Sequence, residues 1–128
     1  MSEAVLDSSA VLALLLAERG SERVQAALPG ALLSTVNLAE VVTKLCERGM
    51  PAAAAGAAVE AIGVELVNFT GEHALLTGEL RTRTRSAGLS LGDRACLSLA
   101  QLYGVPALTA DAAWASVSGL DVVCIRDR

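Results

Sequence analysis

Residues 4–16 read AVLDSSAVLALLL, and the way they divide decides the fold. Ala4-Val5-Leu6 is a short apolar run with no polar alternation, the pattern of a strand covered on both faces. It stops at Asp7, and Ser8, Ser9 and Ala10 lead into Val11, Leu12, Leu14, Leu15 and Leu16, a helix ending near Gly20. A buried strand that hands over to an acid and then to a helix is the opening of a parallel α/β unit. Asp7 has a competing reading as a helix N-cap. Because Ser8 and Ser9 could cap equally well, an acid is not required there for that purpose.

The same syntax recurs outward from this stretch. After a short helix from Ser21, broken at Pro29-Gly30, Ala31–Leu33 reads as a second strand. Ser34 or Thr35 then caps a helix carrying Val36, Ala39, Val42, Leu45 and Cys46, which stops at Gly49. An alanine-rich helix runs from Pro51 to Ile62. Val64–Val67 is a strand, and Thr70 caps a long helix to about Ala87. The segment LSLGDRACLSLA, Leu89 to Ala100, has Ser90 three residues before Asp93, a capping-box signature, with Leu91, Ala95, Leu99 and Leu102 along one helical face to Gly104. Val105–Thr109 is a strand followed by Asp111, and Val122–Ile125 is the last strand before a charged tail. The expectation is one α/β domain over residues 1–128, a mostly parallel sheet of four or five strands flanked by helices.

Composition narrows the function classes. At 128 residues, 53% hydrophobic and 19% charged, the chain has the make-up of a single globular domain. A net charge of −4 argues against a module that holds nucleic acid mainly by neutralising phosphates. One Phe, one Tyr and one Trp are too few for a base-stacking platform. Arg81, Arg83, Arg85 and Arg94 nevertheless cluster; the first three fan around their helix, so at least one belongs to a solvated helix end. Cys46, Cys96 and Cys124 show no C-x-x-C spacing and read as small reduced core residues. The first residues, with Glu3 and Asp7 and no early Lys or Arg, lack a secretory signal's basic region, and no segment is long enough to span a bilayer. A soluble cytoplasmic protein is expected.

Candidate chemistry rests on four acids. In an open parallel sheet, ligands bind beyond the carboxyl ends of the strands. Asp7 and Asp111 fall at such ends, and Glu40 and Asp93 fall in early turns of helices on that side. Each has an ordinary structural role on offer: caps for Asp7, Asp93 and Asp111, and a surface pair with Lys44 for Glu40. Asn37, one turn before Glu40, could instead hold it toward a site. Four gathered carboxylates repel one another, and a hard cation such as Mg²⁺ or Mn²⁺ resolves this. Such a site polarises a phosphodiester and activates water. His73, the single histidine, has no partner at ligand spacing, and there is no P-loop, G-x-G-x-x-G, Ser-His-Asp or Cys-His set.

The segments VLDSSAVLALLLAE (5–18), NLAEVVTKL (37–45), LSLGDRACLSLA (89–100) and ALTADAAWA (107–115) together resemble PIN-domain ribonucleases, in particular VapC-type toxins of toxin–antitoxin pairs. The resemblance spans nearly the whole chain and implies a single-stranded RNA endonuclease requiring Mg²⁺ or Mn²⁺. It implies Asp7, Glu40, Asp93 and Asp111 as acidic ligands, with Asn37 and Thr109 supporting them. Arg85 and Arg94 are the basic residues available to the RNA. It also implies a homodimer and a small cognate antitoxin that inserts into the active-site groove. The alanine-rich helix reads either as a core helix or, through its small residues Ala53, Gly56 and Ala57, as a candidate for the subunit contact. Two other phosphoryl-transfer frameworks fail on single residues. A haloacid-dehalogenase-type phosphatase wants an acid where Ser9 stands, and a response-regulator receiver wants a late Lys, whereas Lys44 is the single lysine. The remaining alternative is a non-catalytic α/β interaction module whose acids are only helix caps.

Overall fold

The computed structural model describes residues 4–126. Glu3 and the end of the charged tail, Asp127 and Arg128, lie outside the described residues. The order is β1 (Ala4–Leu6), α1 (Ser8–Leu15), α2 (Ser21–Ala27), β2 (Ala31–Ser34), α3 (Thr35–Glu47), α4 (Ala52–Ala61), β3 (Glu65–Val67), α5 (Gly71–Thr84), α6 (Leu91–Tyr103), β4 (Ala107–Thr109) and β5 (Val122–Cys124). Short 3-10 turns at Arg85–Ala87 and Ala112–Ser116 complete it. The five strands form one all-parallel sheet in the order β3-β2-β1-β4-β5.

That order sets the position of the site. From β1 the chain winds outward through β2 to β3, then returns to the other side of β1 for β4 and β5. The direction of winding therefore reverses between β1 and β4, and the crevice beyond their carboxyl ends is the topological switch point. Asp7 follows β1 directly, and Asp111 stands two residues beyond β4.

Both faces of the sheet are covered, which is why its central strands read as unbroken apolar runs. Ala4, Leu6, Ala31 and Leu33 pack into a core with Val11, Val41, Leu45, Val59 and Ile125, under α1 to α4. The intervening Val5 and Leu32 face the opposite core with Leu80, Cys96, Leu99 and Trp114, under α5 and α6. The alternation follows the pleat.

Several elements differ from their sequence reading. Helix α1 ends at Leu15 rather than near Gly20: Ala17 adopts φ +54°, and Gly20, at φ +96°, opens α2. Gly20 also abuts β5, since a Cβ there would lie 2.7 Å from the Ile125 carbonyl oxygen. The expected long helix to Ala87 breaks into α5 and a 3-10 turn. On α3 the buried line is Asn37, Val41 and Leu45, while Cys46 is exposed and so is not a core residue. On α6 the enclosed part is the middle, from Ala95 through Ala100, where α5, α3 and the sheet surround it. Leu91 and Leu102 at its ends are 58% and 40% exposed, so the expected stripe does not continue to either end. His73 is a buried histidine on α5, edge-on to Phe69.

Candidate active site

Asp7 is the centre of the arrangement at the switch point. It is the N-cap of α1: its Oδ1 accepts from the Ala10 backbone N–H at 2.8 Å and from the Ser9 hydroxyl at 2.7 Å. Contrary to the expectation from sequence, Ser9 does not compete with it as the cap, because Ser9 gives its hydroxyl to Asp7 instead. The Thr109 hydroxyl donates to the other oxygen, Oδ2, at 2.6 Å. Two further bonds brace this end of β4. Thr109 Oγ1 accepts the Asp111 N–H at 3.0 Å, and Ser9 Oγ accepts the Ala110 N–H at 2.9 Å. Asp111 itself is exposed and caps the following 3-10 turn, its Oδ1 accepting from Ala113 at 2.9 Å.

Asp93 completes a capping box on α6. Its amide donates to Ser90 Oγ at 3.1 Å, and its Oδ2 accepts the Ser90 N–H at 2.9 Å. Glu40 is held differently from the predicted surface pair with Lys44. Asn37 Nδ2 donates to Glu40 Oε1 at 2.9 Å and to the Gly92 carbonyl at 3.0 Å, and the Glu40 carboxylate lies against Gly92. Asn37 is fully buried. The arrangement matches the alternative reading in which Asn37 restrains Glu40.

Burial, opposed by the hydrogen bonds from Thr109, Ser9 and Ala10 and reinforced by the negative charge of Asp93, raises Asp7 from 3.8 to about 6. Beneath them, burial pushes the Cys96 thiol well above its ordinary range, with Asp7, Asp93 and Glu40 each adding to the rise. Three carboxylates therefore share one electrostatic neighbourhood around Cys96. The exposed Asp111 is tied to it through the backbone bond to Thr109. Among the described residues the one ion pair is Arg126–Glu18, so none of the four acids has a basic partner there.

Of the two arginines expected at the site, Arg85 is exposed, on the 3-10 turn before α6. Arg94 is half-buried and turned to α5, its Nη1 donating to the Thr77 carbonyl at 2.8 Å. Two participants are not singled out by the sequence. Ser9 carries a signal only as a small polar neighbour of Asp7, and Gly92 carries none, because its contact with Glu40 spans two helices. A groove of about 480 Å³ opens beside Glu40, lined by Val36, Ala39, Lys44, Leu91 and Gly92 among others.

As the side chains stand, no three acids, histidines or cysteines among the described residues enclose a metal position. The donor set nonetheless fits a hard divalent cation. It is all carboxylate oxygen, it lacks a countercharge among the described residues, and its most buried member, raised to about 6, bears its charge at a greater cost than an ordinary carboxylate.

A doubly covered, all-parallel five-stranded sheet with acids beyond the carboxyl ends of β1 and β4 defines a small α/β domain with its candidate site at the switch point. The sequence profile of the PIN domain family matches residues 4–120, and the chain belongs to that family. No curated protein matches its sequence closely enough to serve as a relative. Solved structures share the fold at low identity. A toxin–antitoxin complex from Klebsiella pneumoniae aligns with TM-score 0.76 at 20% identity, over 98% of this chain and 100% of that one. A DNA-bound VapBC from Salmonella typhimurium aligns with 0.75 at 18%, over 96% and 98%. VapC20 of Mycobacterium tuberculosis, described as a sarcin-ricin loop cleaving toxin, aligns with 0.75 at 23%, over 92% and 96%. Among the described residues, no helix is long and apolar enough to cross a membrane.

Proposed function

We propose that the protein is a metal-dependent endoribonuclease that cleaves single-stranded RNA and acts as the toxin of a toxin–antitoxin pair. The observation that carries the reading is the placing of acids at the switch of a parallel sheet: Asp7 directly after β1, Asp111 just beyond β4, and the Glu40 carboxylate against Gly92 beside Asp93, with no basic partner among the described residues. Membership of the PIN family and the likeness to toxin–antitoxin structures support it.

Asp7, Glu40, Asp93 and Asp111 would hold Mg²⁺ or Mn²⁺. When bound, that cation supplies Lewis-acid polarisation of the scissile phosphate and activation of the attacking water. The chain's own residues prepare the site. Ser9 and Thr109 fix both oxygens of Asp7, Ser90 fixes one oxygen of Asp93, and Asn37 fixes one of Glu40, which restricts the rotamers open to each carboxylate before a cation draws them together. Arg85, exposed near the N-terminus of α6, is free to meet a flanking phosphate. Arg94, already bonded to Thr77, reaches substrate only through its remaining N–H groups. A cognate antitoxin covering the site, a homodimer, and action in the cytoplasm belong to the same reading.

The test is cleavage of end-labelled single-stranded RNA by purified protein in Mg²⁺, set against excess chelator, with Asp93→Asn as the inactive control. Sequencing new RNA ends after brief induction in cells would then identify the target. Absence of cleavage, together with no gain in melting temperature on adding Mg²⁺ or Mn²⁺, would leave the interaction module with capping acids.

A further inference from the structure

Gly92 stands at the second position of α6, where neither the backbone nor helix preference calls for glycine. Its φ is not in the left-handed region that glycine serves elsewhere in the chain, as at Gly88 and Gly104 flanking this same helix. Inside a helix, glycine is less favourable than alanine. What requires it is Glu40: a Cβ built on Gly92 would overlap all three atoms of the Glu40 carboxyl group. The same carboxylate is tied by Asn37, whose Nδ2 bridges Glu40 Oε1 and the Gly92 carbonyl. Asn37 Oδ1, buried, has no partner among the described residues. The amide thus spends both N–H groups on this junction while its acceptor stays unpaired. The opposite orientation would set an amide oxygen against a carboxylate and a carbonyl.

We propose that Gly92 and Asn37 are positioning residues that clamp the Glu40 carboxylate between α3 and the first turn of α6, and that Gly92 is glycine to admit this carboxylate. The inference rests on the nuclease reading for its consequence, cation binding, but not for the clamp itself. The fold tolerates the perturbation, because the overlapping atoms are the far end of a flexible side chain and no backbone need move. In Gly92→Ala, Glu40 swings away from Asn37 and leaves the neighbourhood of Asp7 and Asp93. Loss of a group that orients a metal ligand weakens metal affinity by about 10–100-fold.

The experiment is a cycle of wild type, Gly92→Ala, Glu40→Ala and the double variant, followed by thermal melting in chelator and then in a Mn²⁺ titration. In chelator, Gly92→Ala raises the melting temperature in the Glu40→Ala background, where only helix preference acts. With Glu40 in place the same change fails to do so, because the clamp is lost. With Mn²⁺, Gly92→Ala raises the midpoint of stabilisation about 10–100-fold when Glu40 is present and leaves it unchanged when Glu40 is absent. An equal effect of Gly92→Ala in both backgrounds overturns the proposal, since a packing role for Gly92 would ignore residue 40. If wild type shows no stabilisation by Mn²⁺, the nuclease reading fails, and the chelator half of the cycle still decides the clamp.

Discussion

Replacing Asp7 by Asn should make the metal-free protein more stable at neutral pH. Asp7 titrates near 3.8 when unfolded and near 6 in the fold. Below the lower value both states hold the proton, and the residue makes no difference to stability. As pH rises between the two, the unfolded chain ionises freely while the folded one keeps its proton, so stability falls. It levels off once the folded carboxyl has also ionised, near pH 7. The loss over that window is about 3 kcal/mol at most. The Asp7→Asn variant has no such window. Its amide oxygen keeps the acceptor role toward Ala10 and Ser9, but its Nδ2 replaces the oxygen that accepts from Thr109, at a cost of about 1 kcal/mol. The net gain at pH 7 in chelator is about 1–2 kcal/mol, or roughly 3–10 °C in Tm for a domain of this size. It should vanish or reverse at pH 4. The assay is thermal or urea unfolding of both proteins from pH 4 to 7.5 in excess chelator, repeated in Mg²⁺. There wild type should gain about 2.7 kcal/mol at a hundredfold excess over Kd, and the variant little. Parallel pH profiles, or a variant less stable than wild type at pH 7 without metal, would refute the electrostatic reasoning.

Asp93→Asn keeps an acceptor for the Ser90 N–H and removes a charge, so stability should change by about 1 kcal/mol or less while Mg²⁺-dependent RNA cleavage falls by orders of magnitude. Full cleavage by that variant would end its assignment as a ligand. Thr109→Val strips the hydroxyl from both Asp7 Oδ2 and the Asp111 N–H. A cost of about 1–3 kcal/mol is expected, together with a further rise of Asp7 that carries its pH-dependent loss of stability to higher pH, both read from the same unfolding series. Ala57→Glu, on the exposed side of α4, should shift a dimer toward monomer in light scattering at low concentration. An unchanged mass would remove α4 from the contact.

The strand–acid–helix syntax is legible in the sequence because β1, β2 and β4 are covered on both faces and must be apolar throughout, and because Ser34, Ser90 and Gly104 carry standard cap chemistry. The buried faces of the helices are less so. On α3, Val36, Ala39, Val42 and Cys46 are as apolar as Val41 and Leu45, so in a chain 53% hydrophobic the periodicity admits more than one face. The true face includes Asn37, a polar residue that periodicity would place outside. Likewise, Glu40 and Lys44 have ideal spacing for a pair, and nothing local reveals that Asn37 and Gly92 take the carboxylate instead. Contacts between helices so far apart in sequence leave no periodic trace.

Capping and metal binding look like rival explanations for the acids, yet under the proposed function one would serve the other. Asp93 commits Oδ2 to Ser90, Asp111 commits Oδ1 to Ala113, and Glu40 commits Oε1 to Asn37. Each bond fixes a side chain that would otherwise sample several rotamers, and each leaves a second oxygen with no protein hydrogen bond among the described residues. Asp7 differs, with both oxygens already bonded and the residue 3% exposed. It is therefore the member whose charge the fold favours least, and on the proposed reading the one whose loss should matter most to cation affinity. A helix cap alone gains nothing from a buried carboxylate whose charge burial and Asp93 make costly, because a serine would cap as well without the charge. The raised Asp7, a product first of burial, is the feature that capping leaves unexplained and that the proposed cation binding would account for.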